Sequence, residues 1–495
     1  MNNLNFLVDV LKESPVFKTL EKNVKPGRTV CASGLSTINK SNIIYALCRL
    51  KGVTAFCLAS DEKEAQTLCN DLSCMGLRSY VYPVRDFNFL DFQSRSHEYE
   101  HARLKVLLKL INHECDVAIA CVDAAAQLTV PRNVLEQSVI EFEEGSELSL
   151  EKATKALTLL GYERFDAVEG SGQFSLRGGI LDFFMPDSDY PVRCEFWGDE
   201  ITDLSYFDIE TQRRFKKADK ITLSPSTEIV IEDRAALADK IEHKAKLLRS
   251  KNSAKAKEKL FSEAELIRSG AMIANADKFI NQIYDKPESL FDYLDRNTLV
   301  FASEFTAIQE RGKSMDFISN ETLMQGFEDG TLCRGFDRFA LTFNECTEFL
   351  QSHGTIVLEN FVHGSMPIKL SEIISFSTKQ LSAWGGSYKQ LKEDVDGLFT
   401  PESKGVIFAG TERAAKNLCD TFNADGINAV YSEGADKISK GELLVMQGAL
   451  SAGFEYPSQK FFAITYSQVS YRPEKSKRRR KDGTGNLQPF RACPR

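Results

Sequence analysis

The sequence predicts a multidomain α/β protein. It reads as a parallel-sheet domain with a degenerate phosphate loop, an α+β module inserted into that domain, and a second small α/β domain. Three observations predict this. Strand and helix patterns alternate over the first 130 residues, residues 131–222 turn strand-rich, and the alternation returns from about residue 371. A chain of 495 residues is also too long for a single core.

Residues 1–27 read as a helix with a loop. Strand Thr29–Ala32 leads through Ser33–Ser41 into a helix ending near Leu50. Strand Val53–Ala59, helix Glu62–Met75 and strand Ser79–Tyr82 follow, then an irregular stretch, Val84–Glu100. Helix His101–Ile111 and strand Asp116–Cys121 close the run. Residues 131–222 carry one helix, Leu150–Leu160, among strands. Residues 232–285 are helical and charge-rich, with Ser250–Lys259 either a solvated helix face or a hinge. The apolar strand Leu299–Ala302 is expected to rejoin the first sheet. Strands Gly405–Ala409, Asn428–Tyr431, Glu442–Gln447 and Phe461–Thr465, with helix Thr411–Asn423, form the second α/β pattern. The expected domains are 1–130 and 223–370 for the two parts of the first, 131–222 for the insertion, 371–470 for the second, and 471–495 for a basic linker.

Composition is ordinary for a globular chain, 42% hydrophobic and 27% charged. No apolar run reaches transmembrane length, and the first residues lack a basic region and cleavage site, so a soluble cytoplasmic protein without a membrane partner is expected. Twelve cysteines form no CxxC pair and the six histidines are few, which argues against a disulfide framework and a zinc site. The net charge of −8 is uneven. From Tyr471 onward nine Lys/Arg face only Glu474 and Asp482, about +7, which leaves the body near −15. Nucleic-acid binding through the Lys475–Lys481 run would be local and steeply salt-dependent.

The densest β chemistry lies in Phe174–Arg214. Val192, Cys194 and Phe196 fall on one strand face, and Arg193, Glu195 and Trp197 on the other. The first face belongs to a core, while Arg, Glu and Trp together have the composition of a contact surface. Trp197–Glu200 supplies a tight turn, and Gly178-Gly179 marks a bulge or a close backbone approach. A sheet buried on both faces, with Arg193 paired to Glu195 or another acidic neighbour, fits the same alternation.

A phosphate loop needs GxxxxGK[ST] between strand and helix, so that backbone N–H groups, a lysine and a Mg²⁺-holding hydroxyl meet the phosphates. Gly34, Lys40 and Ser41 stand in register, but Asn39 replaces the second glycine and would crowd the phosphates. The partner strand should end in Asp-Glu. Leu299–Glu304 ends in Ser303-Glu304, without the metal-holding Asp. Nucleotide hydrolysis is therefore not expected of this chain, and residual anion binding stays as an alternative. A second GKS, Gly312–Ser314, has Ala307 where its first glycine belongs and carries no weight.

These residues together resemble a known family. The stretch FSLRGGILDFF…VRCEFWGDEITDLSYFD…TQRR is similar to the UvrB-homology module of bacterial transcription-repair coupling factors (Mfd). The decayed phosphate loop, the segment GALSAGFEYP (Gly448–Pro457) and the arginine-rich linker fit the same family, from near the amino terminus to about Lys481. The resemblance implies a RecA-like first domain and an inserted module that binds UvrA. It places the UvrA contacts on Arg177, Arg193 and Trp197, where the family commonly has Phe at the last position. ATP and Mg²⁺, RNA polymerase and double-stranded DNA belong by implication to later modules of the full-length family. No cofactor or catalytic residue is expected here. The ending NLQPFRACPR does not match the family and reads as a truncation or altered frame. The rival expectation is a UvrB-like DNA-dependent ATPase, with Phe87–Phe92 as its only candidate DNA-clamping stretch.

Overall fold

The computed structural model describes residues 4–85, 97–249, 253–270, 276–361, 366–381 and 388–466. The Phe87–Phe92 stretch, Ser250–Asn252 and the Lys475–Lys481 run lie outside the described residues.

The chain opens with helices Asn5–Lys12 and Pro15–Asn23, and then strands β1 (Val30–Ser33), β2 (Ala55–Ala59), β3 (Ser79–Tyr82) and β4 (Val117–Cys121) alternate with helices. The helix starts are local chemistry: Asp61, for example, accepts from the Glu64 N–H at 2.7 Å and sets the first turn of helix Glu62–Cys74. The chain then runs through β5 (Ile140–Glu143), β6 (Glu163–Arg164), β7 (Gln173–Arg177), β8 (Ile180–Phe183), β9 (Val192–Trp197), β10 (Glu200–Phe207), β11 (Arg214–Lys217) and β12 (Lys220–Leu223). Helices Arg234–Leu247 and Ser253–Arg268 pack together, with Arg268 reaching Asp239 at 2.8 Å. Strands β13 (Leu299–Ser303), β14 (Thr355–Glu359) and β15 (Glu372–Ser375) come next. Last come β16 (Lys379–Leu381), β17 (Lys404–Phe408), β18 (Ala429–Ser432), β19 (Glu442–Met446), β20 (Gly453–Tyr456) and β21 (Phe461–Thr465).

The first sheet is seven-stranded, in the order β15-β1-β14-β13-β2-β4-β3, and every pairing in it is parallel. This is the expected RecA-like architecture. Helices cover both faces, so β2 (AFCLA) and β4 (VAIAC) are apolar and buried end to end instead of alternating. The expected apolar strand at Leu299 does return to this sheet, as β13 between β14 and β2.

One boundary differs from expectation. The first sheet continues past residue 371, because β15 pairs in parallel with β1, Val30 opposite Glu372, and buries Ile374 in the first core. A four-residue edge strand is too short to show a period, so it carries no local signal. The second sheet, β16-β20-β21-β17-β19-β18, begins after three intervening residues. The two α/β units share one core: Phe6 of the first helix meets Phe461, and Phe408, Met446 and Phe454 join the cluster that holds Ile43 and Ile44.

The inserted module is built around the six-stranded sheet β11-β10-β9-β8-β7-β6, with β12-β5 as a separate pair. Gly178-Gly179 is a two-residue hairpin loop, with Arg177 opposite Ile180. Gly178 has φ +62°, and a Cβ on Gly179 would lie 2.7 Å from the Phe196 carbonyl oxygen. The pairing register therefore runs unbroken from β7 into β8, without a bulge. The second GKS lies inside helix Phe305–Asp329, where Gly312 makes room for the Phe343 ring.

Candidate functional site: a closed loop and a sheet face

The loop after β1 holds its shape but not a phosphate's surroundings. Gly34 has φ +79°, and a side chain there would overlap the Phe376 carbonyl. Thr378 Oγ1 donates to the Gly34 carbonyl at 2.7 Å, so residues just past β15 lie over the loop. Asn39 is fully buried and accepts from Ser36 Oγ at 2.7 Å. Lys40 is 1% exposed; its ammonium donates to Ser303 Oγ at 2.9 Å, to Glu304 at 2.5 Å and to Glu64 at 3.3 Å. Ser303, where the metal-holding Asp would stand, donates in turn to Glu64 at 2.6 Å. Glu304 sits at φ +56° and also accepts from the Asn360 N–H.

The charge that would neutralise a phosphate is thus neutralised by carboxylates of the same chain. Burial pushes the Glu64 carboxyl up, but Lys40, Ser303 and Ser60 outweigh it and hold it below the ordinary range. Glu359 ends β14 fully buried, and its pKa is raised by burial and by the neighbouring Glu304. Ser41 donates to the Thr37 carbonyl and to Asp71. The residues present do not fit the phosphates of a nucleotide: Glu64, Glu304 and Glu359 would repel them.

Over the helix that follows, Thr37–Lys51, lies the second α/β unit. Asn42 donates to the Tyr456 hydroxyl at 2.9 Å, and Asp71 accepts from Ser451 N–H and Oγ, both at 2.7 Å. Burial pushes the Asp71 pKa up to about 6 against these hydrogen bonds. The folded state therefore holds that proton more tightly than the unfolded chain does. Stability falls as pH rises from about 4 to about 6, and above that Asp71 costs up to about 3 kcal/mol. Asp71→Asn keeps an acceptor for the Ser451 N–H without the charge. Its melting temperature is expected to exceed that of the parent at pH 8 and to match it near pH 4. A variant that melts lower at pH 8 would show that the ionised carboxylate is needed.

The second region is the module's sheet. One face packs Leu181, Phe183, Val192, Cys194, Phe196 and Leu204 against helix Leu150–Leu159 through Ala153 and Leu157. On the opposite face Ser175, Asp182, Ser205 and Phe207 are buried and the Arg193 side chain is 13% exposed, so the two-sided burial that alternation allowed holds at the centre of the sheet, while Arg177 and Trp197 stay exposed. Cross-strand pairing places Asp182 directly opposite Arg193. Asp182, only 1% exposed, accepts from Arg193 Nε at 2.7 Å and its terminal nitrogen at 2.8 Å, and from Arg177 at 2.9 Å. The Arg193 guanidinium also lies over the Phe207 ring, 4.4 Å from its centre. Arg193 is thus paired with an acidic neighbour, but that neighbour is Asp182; Glu195 pairs with Arg214.

Trp197 lies on the same face at the hairpin turn, 81% exposed, with Gly198 at φ +66° turning the chain beneath it. Arg177 and Arg193 meet at Asp182, and Trp197 shares their sheet face farther along β9. Gly34, Asn39, Lys40, Ser41, Ser303 and Glu304 come together at the ends of β1 and β13, in a region filled by the protein itself. Asp182, which fixes both arginines, was not singled out in the sequence. Its signal was a lone carboxylate between Leu181 and Phe183 in ILDFF. Glu64 and Glu359 gave no signal, because only folding brings them to Lys40.

The family model described as the UvrB interaction domain matches residues 140–229. The chain is 27% identical to a transcription-repair-coupling factor of Bacillus subtilis over 95% of its own length and 41% of that protein's. It is 25% identical to one from Staphylococcus epidermidis (83% of this chain, 35% of the relative). It is 21% identical to one from Staphylococcus aureus (99% and 42%). The chain thus spans about two fifths of the length of these curated relatives. It resembles an amino-terminal portion of a transcription-repair coupling factor.

Proposed function

We propose that this chain is the UvrA-binding scaffold of a transcription-repair coupling factor, a protein that displaces stalled RNA polymerase at lesions and recruits excision repair. The observation that carries the reading is the sheet face on which Asp182 fixes Arg193 and the exposed Arg177, with the exposed Trp197 on the same face at the hairpin end. A tryptophan that contributes nothing to the module's core, on the same sheet face as two guanidinium groups oriented by Asp182, has the make-up of a binding hot spot. RNA polymerase and duplex DNA would be engaged by modules of the relatives outside this chain. The loop at Gly34–Ser41 is read as structural and the chain as having no nucleotide cofactor, because Lys40 is committed to carboxylates.

Capture of purified UvrA by the immobilised chain tests the reading. An Arg193→Ala, Trp197→Ala double variant is expected to weaken binding by about 2 kcal/mol or more, roughly thirtyfold. Undiminished capture by that variant would overturn the assignment.

A further inference from the structure

The end of the first sheet opposite the phosphate loop is open. At the amino-terminal ends of β1, β13 and β14 lies a cleft of about 230 Å³. It adjoins a larger one of about 460 Å³, with Val53, Asn297 and Thr298 common to both. The floor of the smaller cleft is apolar and includes Val53, Leu299 and Ile356. Its charged lining is entirely cationic: Lys25, Arg28, Lys51 and Arg296, with no carboxylate among the lining residues. That is unusual in a body whose net charge is strongly negative.

These cations are largely unpaired. Among the described residues Lys25, Lys51 and Arg296 make no ion pair. Arg28 reaches Glu372 with one terminal nitrogen at 3.3 Å, while its Nε is buried without a partner. Lys51 in the last turn of its helix also complements that helix's dipole. Arg28 and Arg296 stand on the loops that enter β1 and β13, where no helix end calls for them. A buried guanidinium donor without an acceptor is costly unless something accepts from it. An apolar floor in a cleft whose charged lining is cationic suits a ligand with one flat or aliphatic body and a phosphate.

We propose that this cleft binds a small phosphorylated ligand, with its body on Val53, Leu299 and Ile356 and its phosphate held between Arg28, Lys51 and Arg296. The site is distinct from the filled loop at Lys40 and independent of UvrA binding. Calorimetric titration of the whole chain with AMP, adenosine, inorganic phosphate and a 5′-phosphorylated single-stranded oligonucleotide tests it. AMP is expected to bind saturably and more tightly than adenosine or phosphate alone, because only AMP meets both floor and cations. Tighter binding by the oligonucleotide would assign the phosphate to a nucleic-acid end in place of a free nucleotide. Lys51→Glu with Arg296→Glu, both exposed and so expected to leave folding intact, should weaken either ligand at least about tenfold. Retained affinity in that variant, or no saturation by any phosphorylated probe up to about 1 mM, overturns the proposal.

Discussion

Replacing Lys40 with methionine is expected to destabilise the chain by about 3–5 kcal/mol, read as a drop in the urea midpoint. The side chain is 2% exposed and is the cation that faces Glu64 and Glu304, so its loss leaves those carboxylates close together and away from water. Breaking a buried pair from one side costs far more than never having built it. A Lys40→Met, Glu304→Gln double variant should therefore recover part of the loss. In a working phosphate loop the same lysine would face the nucleotide, and its replacement would remove phosphate release with little effect on the apo fold. A midpoint shift under about 1 kcal/mol, together with DNA-stimulated phosphate release that Lys40→Met abolishes, would restore the ATPase reading.

Arg103→Met is expected to cost a similar amount, about 3–5 kcal/mol. Arg103 and Glu228 are both fully buried and joined by bonds of 2.6 and 3.3 Å, and Thr129 donates to the same carboxylate at 2.8 Å. Arg103 also donates to the Pro83 carbonyl and to Gln127, with its guanidinium 4.2 Å from the centre of the Tyr82 ring. The pair sits where the chain leaves the first domain, near Gln127–Thr129, and where it returns from the inserted module, at Glu228. Losing the arginine is therefore expected to loosen the root of the module as well as the core. Faster proteolysis near residues 224–230 would report the first effect and the melting temperature the second. Arg103→Lys should not rescue either, because an ammonium cannot reproduce a fork that serves a carboxylate, a carbonyl and an amide together. An Arg103→Met, Glu228→Met double variant is expected to regain most of the stability. If it is as unstable as the single variant, lost packing and not the stranded charge is the cause.

The same network has an acid limit. Burial pushes the Glu100 carboxyl up, but His97, Arg85 and the Glu228 N–H outweigh it and lower its pKa to about 2. The stabilisation from Glu100 is full above the ordinary carboxylate range and is lost as pH falls toward 2.

Local patterns made much of this protein legible. Alternating strand and helix signals gave the parallel sheet, since a strand buried on both faces is a continuous apolar run bounded by turns. The period-two alternation of β9 separated Cys194 and Phe196 from Arg193 and Trp197, and the structure keeps that separation. The substitutions at Asn39 and Ser303 were enough to doubt the phosphate loop. Edge strand β15 was missed because four residues carry too little periodicity to register.

The order of elements, the two faces of the module's strands and the decay of the loop are legible in the amino-acid order alone. Each depends on neighbours within a few residues of one another. The tertiary structure decided which charges meet. Lys40 is neutralised by Glu64 and Glu304, Arg177 and Arg193 share Asp182, and Arg28, Lys51 and Arg296 are left around an open cleft. Ion pairing depends on distance in space and on exclusion from water. Residues 264 positions apart become partners only when parallel strands bring the ends of β1 and β13 together. The opening stretch of that contrast is the phosphate loop itself: its motif was visible in one dimension, and its closure only in three.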